Sequence, residues 1–410
     1  MKKQILWLAA TSVAAVVACN KTETVQENPG DAISFRPLVS GVTKAATDPQ
    51  VMSAFADGNQ INVWADYKAD GSVDSKYFYD TFTYGATPSG HFTPSAGIHF
   101  WPAVVDATHP VTFYATYGGV SQTAGGVFAG FTPADAAASQ IDLLVAKHIT
   151  NNANLATDKG AVVLNFRHAL SQVNVKVKNS SANLKFTVKA VKIGYVAKAA
   201  TAFSLAFDNS ATTSDVHQGN ANAPLTTGAN MIAGSSWTVT APTSATQAYE
   251  VALTSGLALE GVQAASALTG VAPWILLPQS MKAFTTTAHT GEGKEYVNKS
   301  SAGVMTDTPD LTGSYIALKL IIENWNGSNA TGTIIDNAGE GVWCYWPIDE
   351  AGNWTPGFKY TYTVDLAGGG YRPTDVDNDG KLDPVLDAIV ISPSCTIDVW
   401  NEQAGIDINN

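Results

Sequence analysis

A run of carboxylates between residues 375 and 387 has a spacing that could bind a metal ion. Aspartates at alternate positions lead to Gly380, which permits a sharp turn, as in the first part of an EF-hand-type calcium loop. Position twelve of the loop is Leu386 instead of the usual bidentate Glu, so Asp387 would have to replace it. The pattern predicts a Ca²⁺ site or, as the alternative, a solvated acidic loop. The ligands of this site would be Asp375, Asp377, Asp379, the backbone carbonyl of Lys381, Asp383 and Asp387.

Spacings typical of catalysis are missing from the sequence. None of the seven histidines stands in an HExxH pattern, and the chain has neither a GxSxG elbow nor a Gly-rich phosphate loop. His168 has no ligand partner near it in the sequence, which favours a structural role for this side chain. We therefore expect that the protein is not an enzyme.

The first nineteen residues are typical of an export signal. Lys2 and Lys3 precede the apolar run 5–18, which is too short to remain as a membrane-spanning helix. Small residues directly before Cys19 resemble a bacterial lipobox, so we expect Cys19 to be acylated, as by palmitate; the alternative is a plain secretory signal. The polar residues 20–32 would form a tether to an anchor in the outer membrane or at the cell surface.

Two further cysteines, Cys344 and Cys395, would remain in the exported chain. An oxidising compartment permits a disulfide between them. Sequence does not show whether their Cα atoms approach closely enough, so two buried free thiols are the equal alternative.

Composition and charge restrict the class of protein. The chain has 410 residues, of which 45% are hydrophobic and 14% charged, and its net charge is −12. Binding to nucleic acid requires clustered Lys and Arg, and the sequence has no such cluster. The length predicts more than one domain, since a domain usually contains about 100–200 residues.

Alternating apolar residues predict an all-β protein. The stretch 160–177 shows this most clearly, with Val162, Leu164 and Phe166 on one face and the odd-numbered valines 173, 175 and 177 on the other. Such a change of parity requires a bend, a bulge or a short helical turn, which we place at residues 167–172. Residues 358–366 alternate almost perfectly and predict another strand.

The strands predict two tandem β-sandwich domains. The polar, Asn-containing segment 147–160 could not contribute much to a core, so we place the boundary there. The predicted organisation is a signal over 1–19, a tether over 20–32, a first sandwich over 33–155 and a second over 156–410.

Four features together resemble the fimbrillin-like lipoproteins of Bacteroides, the type V pilins with their Mfa-like branch. They are the lipobox Cys19, the strand ISFRPLV followed by a Lys-Ala step, the block from DLLVA to VVLNFRHALSQVNVKV, and YWPIDEAGNWTPGFKYTYTVDL. The resemblance covers about residues 15–366, and the fold it implies is two tandem β-sandwiches of the fimbrillin type.

Assembly by proteolysis and strand exchange is what this resemblance implies. In such pilins a trypsin-like protease cuts after Arg or Lys near the N-terminus, and a strand of a neighbouring subunit fills the groove that the removed strand leaves. Arg36 is followed by Pro37, which such proteases cut poorly, so the resemblance places processing between Lys44 and Ala45. Many family members have Arg at this step, and a subunit that stays anchored is the alternative.

The resemblance therefore implies a fimbrial subunit, or a fimbria-associated surface lipoprotein, that supports adhesion at the cell surface. Its partners would be other fimbrial subunits, together with host or microbial surface glycans or proteins. The ten tryptophans and the acidic loop leave a calcium-dependent glycan-binding surface lipoprotein as the alternative function.

Overall fold

The computed structural model describes most of the chain. It covers residues 27–39, 55–71, 74–86, 89–205, 236–268, 271–283, 297–299, 305–309, 313–348, 353–372, 385–386 and 393–399. Strands dominate these residues, which confirms the all-β class. In the described part of the chain, no helix has the length and apolar character needed to cross a membrane.

The described residues up to 168 contain eleven strands, one 3₁₀ turn and one helical turn. The 3₁₀ turn is Ala137–Ser139, and the helical turn α1 is Leu155–Asp158. The strands are β1 Glu27–Ala32, β2 Phe35–Val39, β3 Gln60–Tyr67, β4 Ser75–Ala86, β5 Ser89–Pro94, β6 Phe100–Pro102, β7 Val111–Tyr117, β8 Gln122–Ala124, β9 Val127–Phe131, β10 Leu144–Thr150 and β11 Val162–His168.

Fourteen further strands are found in the described residues that follow, and a second 3₁₀ turn, Leu366–Gly368, comes directly after β24. The strands are β12 Ser171–Asn179, β13 Leu184–Gly194, β14 Ala200–Ser204, β15 Ser236–Val239, β16 Ala248–Glu260, β17 Gln263–Ala267, β18 Trp274–Leu276, β19 Val297–Lys299, β20 Met305–Pro309, β21 Tyr315–Trp325, β22 Ala330–Ile335, β23 Val342–Pro347, β24 Phe358–Asp365 and β25 Ser394–Val399.

The first core lies inside a closed barrel with the strand order β10-β11-β2-β5-β4-β3-β7. Alternation explains why its strands form: in β3, Ile61, Val63 and Ala65 are buried, while the residues between them face outward. A closed sheet leaves no free edge, so every strand of the barrel has a neighbour on both sides.

The second core lies between two sheets. One sheet has the order β17-β12-β24-β25, with β18 also paired to β12, and the other has the order β16-β13-β21-β22, with β23 also paired to β21. Val173, Val175 and Val177 of β12 face Phe186 and Val188 of β13 across the same apolar cluster. This arrangement is a sandwich.

A third apolar cluster joins the two cores. A four-stranded sheet of order β15-β14-β9-β8 contributes Phe128 and Phe203, whose rings stack at 5.7 Å. Their cluster also contains Val145 of the barrel strand β10 and Ile275 of the sandwich strand β18. The four-stranded sheet therefore packs against a strand of each core.

The change of parity at residues 167–172 has a cause that the sequence did not reveal. β11 ends at His168 and pairs with β2 in the barrel, whereas β12 starts at Ser171 and belongs to the sandwich. The even-numbered face of β11 and the odd-numbered face of β12 therefore cover different cores. The predicted boundary gives residues 156–168 to the second sandwich, whereas their strand β11 is paired within the first core; the two-domain division itself stays a prediction.

Candidate strand-exchange site

The N-terminal strand β2 occupies a place inside the barrel. It pairs in parallel with β11, from Phe35 opposite Val162 to Val39 opposite Phe166. On its other side it meets the antiparallel β5, with Phe35 opposite Phe92. The parallel pair joins segments more than a hundred residues apart, and periodicity alone gives no sign of such a pairing.

Phe35 is the side chain of β2 that fills the barrel. It is fully buried, and its ring meets Phe82 at 4.8 Å and Phe113 at 5.1 Å, both edge to face. Ile33 precedes it on the same face and is also buried. Arg36 points to the other side, where it is half-buried. A strand that replaced β2 would therefore have to present an apolar side chain at the position of Phe35.

Backbone and charge contacts hold the N-terminal segment in place. Val162 N donates to Ser34 O at 2.9 Å, and Ile33 N donates to His99 O at 2.7 Å. β1 pairs with β6. Lys159 Nζ, just after α1, lies 2.6 Å from Asp31 Oδ2; both side chains are more than a third exposed, so this ion pair adds little stability.

The predicted processing site lies outside the described residues. β2 ends at Val39 and the description resumes at Phe55, so Lys44 and Ala45 fall between two segments that are both anchored in the barrel. Phe55 is buried, with its ring 5.0 Å from Phe92 and 5.1 Å from Phe166. This anchor was not predicted, although a lone aromatic residue after residues 40–54, which lack a strand-like alternation, could have indicated it.

Strand β25 has the opposite character to β2. Among the described strands it lies at the end of its sheet and pairs with β24 alone, from Ser394 opposite Thr363 to Val399 opposite Phe358. Its described side chains at 394–397 are exposed, and Ile397 is 50% exposed. An apolar residue on an edge strand that covers no core is available to another partner.

The two cysteines do not form the disulfide that was one alternative. Cys344 lies on β23 opposite Leu318, while Cys395 lies on β25 opposite Tyr362, in the other sheet of the sandwich. Both thiols are free. Cys344 is fully buried, and burial raises the pKa of its thiol to about 12, whereas Cys395 is exposed, so the alternative of two buried free thiols holds for Cys344 alone.

The remaining predicted sites cannot be located, because Cys19 and all of the acidic-loop ligands lie outside the described residues. Within the described part of the chain, no group of His, Cys, Asp and Glu side chains could hold a metal ion. Only Val385 and Leu386 of the loop region are described, and both pack against the second core. Calcium binding therefore stays a prediction.

Two buried histidines make contacts that support structure. His168 Nδ1 lies 2.9 Å from Asp142 Oδ2, which agrees with the structural role expected for this residue. His148 Nε2 lies 2.8 Å from Asp158 Oδ2, which also accepts a hydrogen bond from Thr150 Oγ1. This second pair links β10 to α1. It was not predicted, because the polar sequence around Asp158 gives no sign that this side chain is buried.

Comparison with known proteins finds one family whose sequence model matches most of the chain. The model of the fimbrillin-like family matches residues 43–400. No curated protein matches the chain. A proposed cell adhesion protein of Bacteroides uniformis has 16% identity and a TM-score of 0.41, with 90% of this chain and 99% of that chain covered. A fimbrilin of Porphyromonas gingivalis has 12% identity and a TM-score of 0.35, with 90% and 97% covered.

Proposed function

Because the chain belongs to the fimbrillin-like family, we propose that it is a fimbrial subunit, or a fimbria-associated surface protein, that assembles by strand exchange and supports adhesion. The observation that carries the exchange step is the place of β2, which closes the barrel between β11 and β5. Its removal would expose two strand edges beside the apolar site of Phe35.

The incoming strand would come from the C-terminal segment 388–410 of a neighbouring subunit. What supports this choice is the exposure of β25 and its single pairing with β24. Main-chain hydrogen bonds would supply affinity, and the apolar site of Phe35 would select the register. The donor strand β25 belongs to the sandwich, and the groove left by β2 would lie in the barrel. One subunit could therefore donate a strand to one neighbour and accept a strand from another.

Removal of β2 requires a cut after it, which we assign to the bond between Lys44 and Ala45. Arg36 is the other basic residue nearby, and it is protected twice, by Pro37 and by its position inside a paired strand. Lys44 lies between Val39, which ends β2, and Phe55, which is anchored in the core. A cut there would detach β2 without removing Phe55.

The protein would be held at the outer membrane by lipid on Cys19 until it is cut. A second acyl chain makes such anchoring stable, since a single chain binds membranes only marginally. Replacing Cys19 with Ala should abolish labelling by a clickable fatty acid. Labelling that persists in this variant would contradict the assignment.

Polymer formation after limited trypsin treatment tests the proposed function. Size-exclusion chromatography and electron microscopy should show monomers before the cut and chains after it, with Arg36-Pro37 intact. The Lys44→Ala variant should stay monomeric, as should a cut protein that lacks residues 388–410. Cut wild-type protein that stays monomeric at high concentration would instead favour an anchor or tip subunit over a stalk subunit.

A further inference from the structure

Three aromatic side chains form a row across the outer face of the barrel. Trp64 of β3 lies opposite Tyr79 of β4 on one side and opposite Tyr114 of β7 on the other, and Tyr114 in turn lies opposite Lys147 of β10. We call Tyr79, Trp64 and Tyr114 the aromatic row. On β3 the residues on either side of Trp64 point into the barrel, so the row stands on the face that the core does not use.

One end of the row is covered by another part of the chain, and the other end is partly exposed, with Lys76 Nζ 5.2 Å from the Trp64 ring centre. At the covered end, a β-carbon on Gly126 would lie 2.8 Å from the Tyr114 ring, so the turn after β8 sits directly on that ring. Trp64 and Tyr79 are partly exposed, and neither belongs to the apolar clusters of the described residues. Packing therefore accounts for Tyr114 but leaves two aromatic rings without a role in the core.

Hydrogen bonds fix the orientation of the Trp64 and Tyr79 rings. Trp64 Nε1 donates to Asp66 Oδ1 at 2.6 Å, and the backbone N of Gln122 donates to Tyr79 Oη at 3.1 Å. The ring centroids are 5.5 Å apart at 45°. Rigid aromatic rings that need no reordering on binding are efficient anchors for a ligand.

The described charged side chains around the aromatic row are two aspartates and two lysines, so their formal charges cancel. Two carboxylates, Asp66 and Asp74, lie near two ammonium groups, those of Lys76 and Lys147. Lys76 lies opposite Asp66 on the neighbouring strand, and its Nζ is 5.2 Å from the Trp64 ring centre. Burial raises the pKa of Asp66 and lowers that of Lys147, so their surroundings are only partly hydrated. The negative charge of Asp74 acts, more weakly than burial, to raise the pKa of both Asp66 and Lys147. On a protein of net charge −12, this electroneutral patch suits a ligand without charge.

Polar groups on the next positions of β3 and β4 complete the surface. Thr81 Oγ1 donates to Asn62 Oδ1 at 2.9 Å, one step along the strands from the aromatic row. Aromatic faces beside hydroxyl, amide and carboxylate groups match a ligand that has an apolar face and many hydroxyls. We propose that Trp64 and Tyr79 form the binding platform for a pyranose ring of a neutral glycan, which would supply the adhesion part of the proposed function.

Affinity electrophoresis of the uncut monomer tests this proposal. Native gels would contain dextran, mannan, galactan, xylan or β-glucan, and at least one of these polymers should slow the protein. Trp64→Ala should raise the dissociation constant at least about tenfold, as expected for an aromatic anchor. Trp325→Ala is the matched control, because Trp325 is also a partly exposed Trp with a lysine, Lys185, over its ring.

Unchanged mobility of the wild type in all five gels, or equal retardation of wild type and Trp64→Ala, would overturn the proposal. Tyr79→Ala provides a second variant with the same expected loss, should Trp64→Ala fold poorly in thermal melts. Because the assay uses uncut monomer, it does not depend on polymerisation. Polymers without glycan binding would contradict this inference alone, and glycan binding without polymers would contradict only the assembly step.

Discussion

Phe35 connects the stability of the barrel to the proposed exchange of its strand. Its ring is enclosed by the rings of Phe82 and Phe113 and by its cross-strand neighbour Phe92. The sequence analysis names ISFRPLV as a strand, and the structure has the strand β2 at Phe35–Val39, with Phe35 buried and Ile33, just before the strand, also buried. The aromatic neighbours come from three other strands, so their convergence on Phe35 could not be read from spacing.

Replacing Phe35 with Ala should destabilise the uncut protein by about 3–5 kcal/mol, because the change removes a fully buried ring and leaves a cavity. Urea unfolding would measure this loss. Arg36→Ala on the same strand is the control, since Arg36 faces away from the core and should cost much less. Equal losses for the two variants would show that Phe35 does not anchor β2.

Stability should fall as pH rises above about 9, in part because of Cys344. Burial raises the pKa of its thiol from 9.0 to about 12, so the unfolded chain loses this proton first and ionisation favours unfolding between those values. One such group changes the free energy of unfolding by about 1.4 kcal/mol per pH unit in that window. Urea unfolding at pH 8 and 10.5 would test this.

Cys344→Ala provides the comparison for that pH series. The variant loses some stability at every pH, but its loss between pH 8 and 10.5 should be smaller than that of the wild type. Tyr114, whose pKa is raised to about 12 mainly by burial, remains in both proteins and keeps part of the slope. Identical slopes would exclude a contribution from the thiol.

The acidic loop gives a prediction about single carboxylates. If it binds calcium, the ion should raise the melting temperature, and Asp377→Ala or Asp379→Ala should remove the increase, because each would supply one of the clustered oxygens. Asp336→Ala, in an exposed turn elsewhere, is the control. A melting temperature that does not respond to calcium would leave only a solvated loop.

At the level of elements, the proposed assembly rests on β2 and β25, and these two strands are held very differently. β2 is enclosed by β11 and β5, whereas β25 has one neighbour and exposed side chains. The strand β2 was visible in the sequence as the segment ISFRPLV. The different places of β2 and β25 were not, because parallel pairing and edge position depend on which distant segments meet.

Amide hydrogen exchange on the uncut monomer should separate these elements. The amides of β25 should exchange well before those of β24 and β12, since an edge strand with exposed side chains opens locally at little cost. β24 is the internal control, because it pairs with β12 on one side and β25 on the other. Protection of β25 equal to that of β24 would count against its role as the donor.

At the scale of the whole molecule, the described residues contain a barrel core, a sandwich core and a smaller cluster with residues from strands of both. The all-β class and most strands follow from alternation, because a half-buried sheet imposes a period of two on its sequence. The boundary near 155 was harder to place: Leu164 of β11 faces the barrel interior, although it lies after the polar segment. Polar composition marked a loop there, and the core continues beyond it.

The central claim is that β2 leaves the barrel and a neighbour's strand takes its place, and protection of β11 reports this most directly. Val162 N is bonded to Ser34 O, and β11 pairs with β2 along residues 162–166. Hydrogen exchange should show β11 protected in uncut protein, exposed in the trypsin-cut monomer and protected again in the polymer. Protection of β11 that persists in cut monomers, or does not return in polymers, would contradict the account.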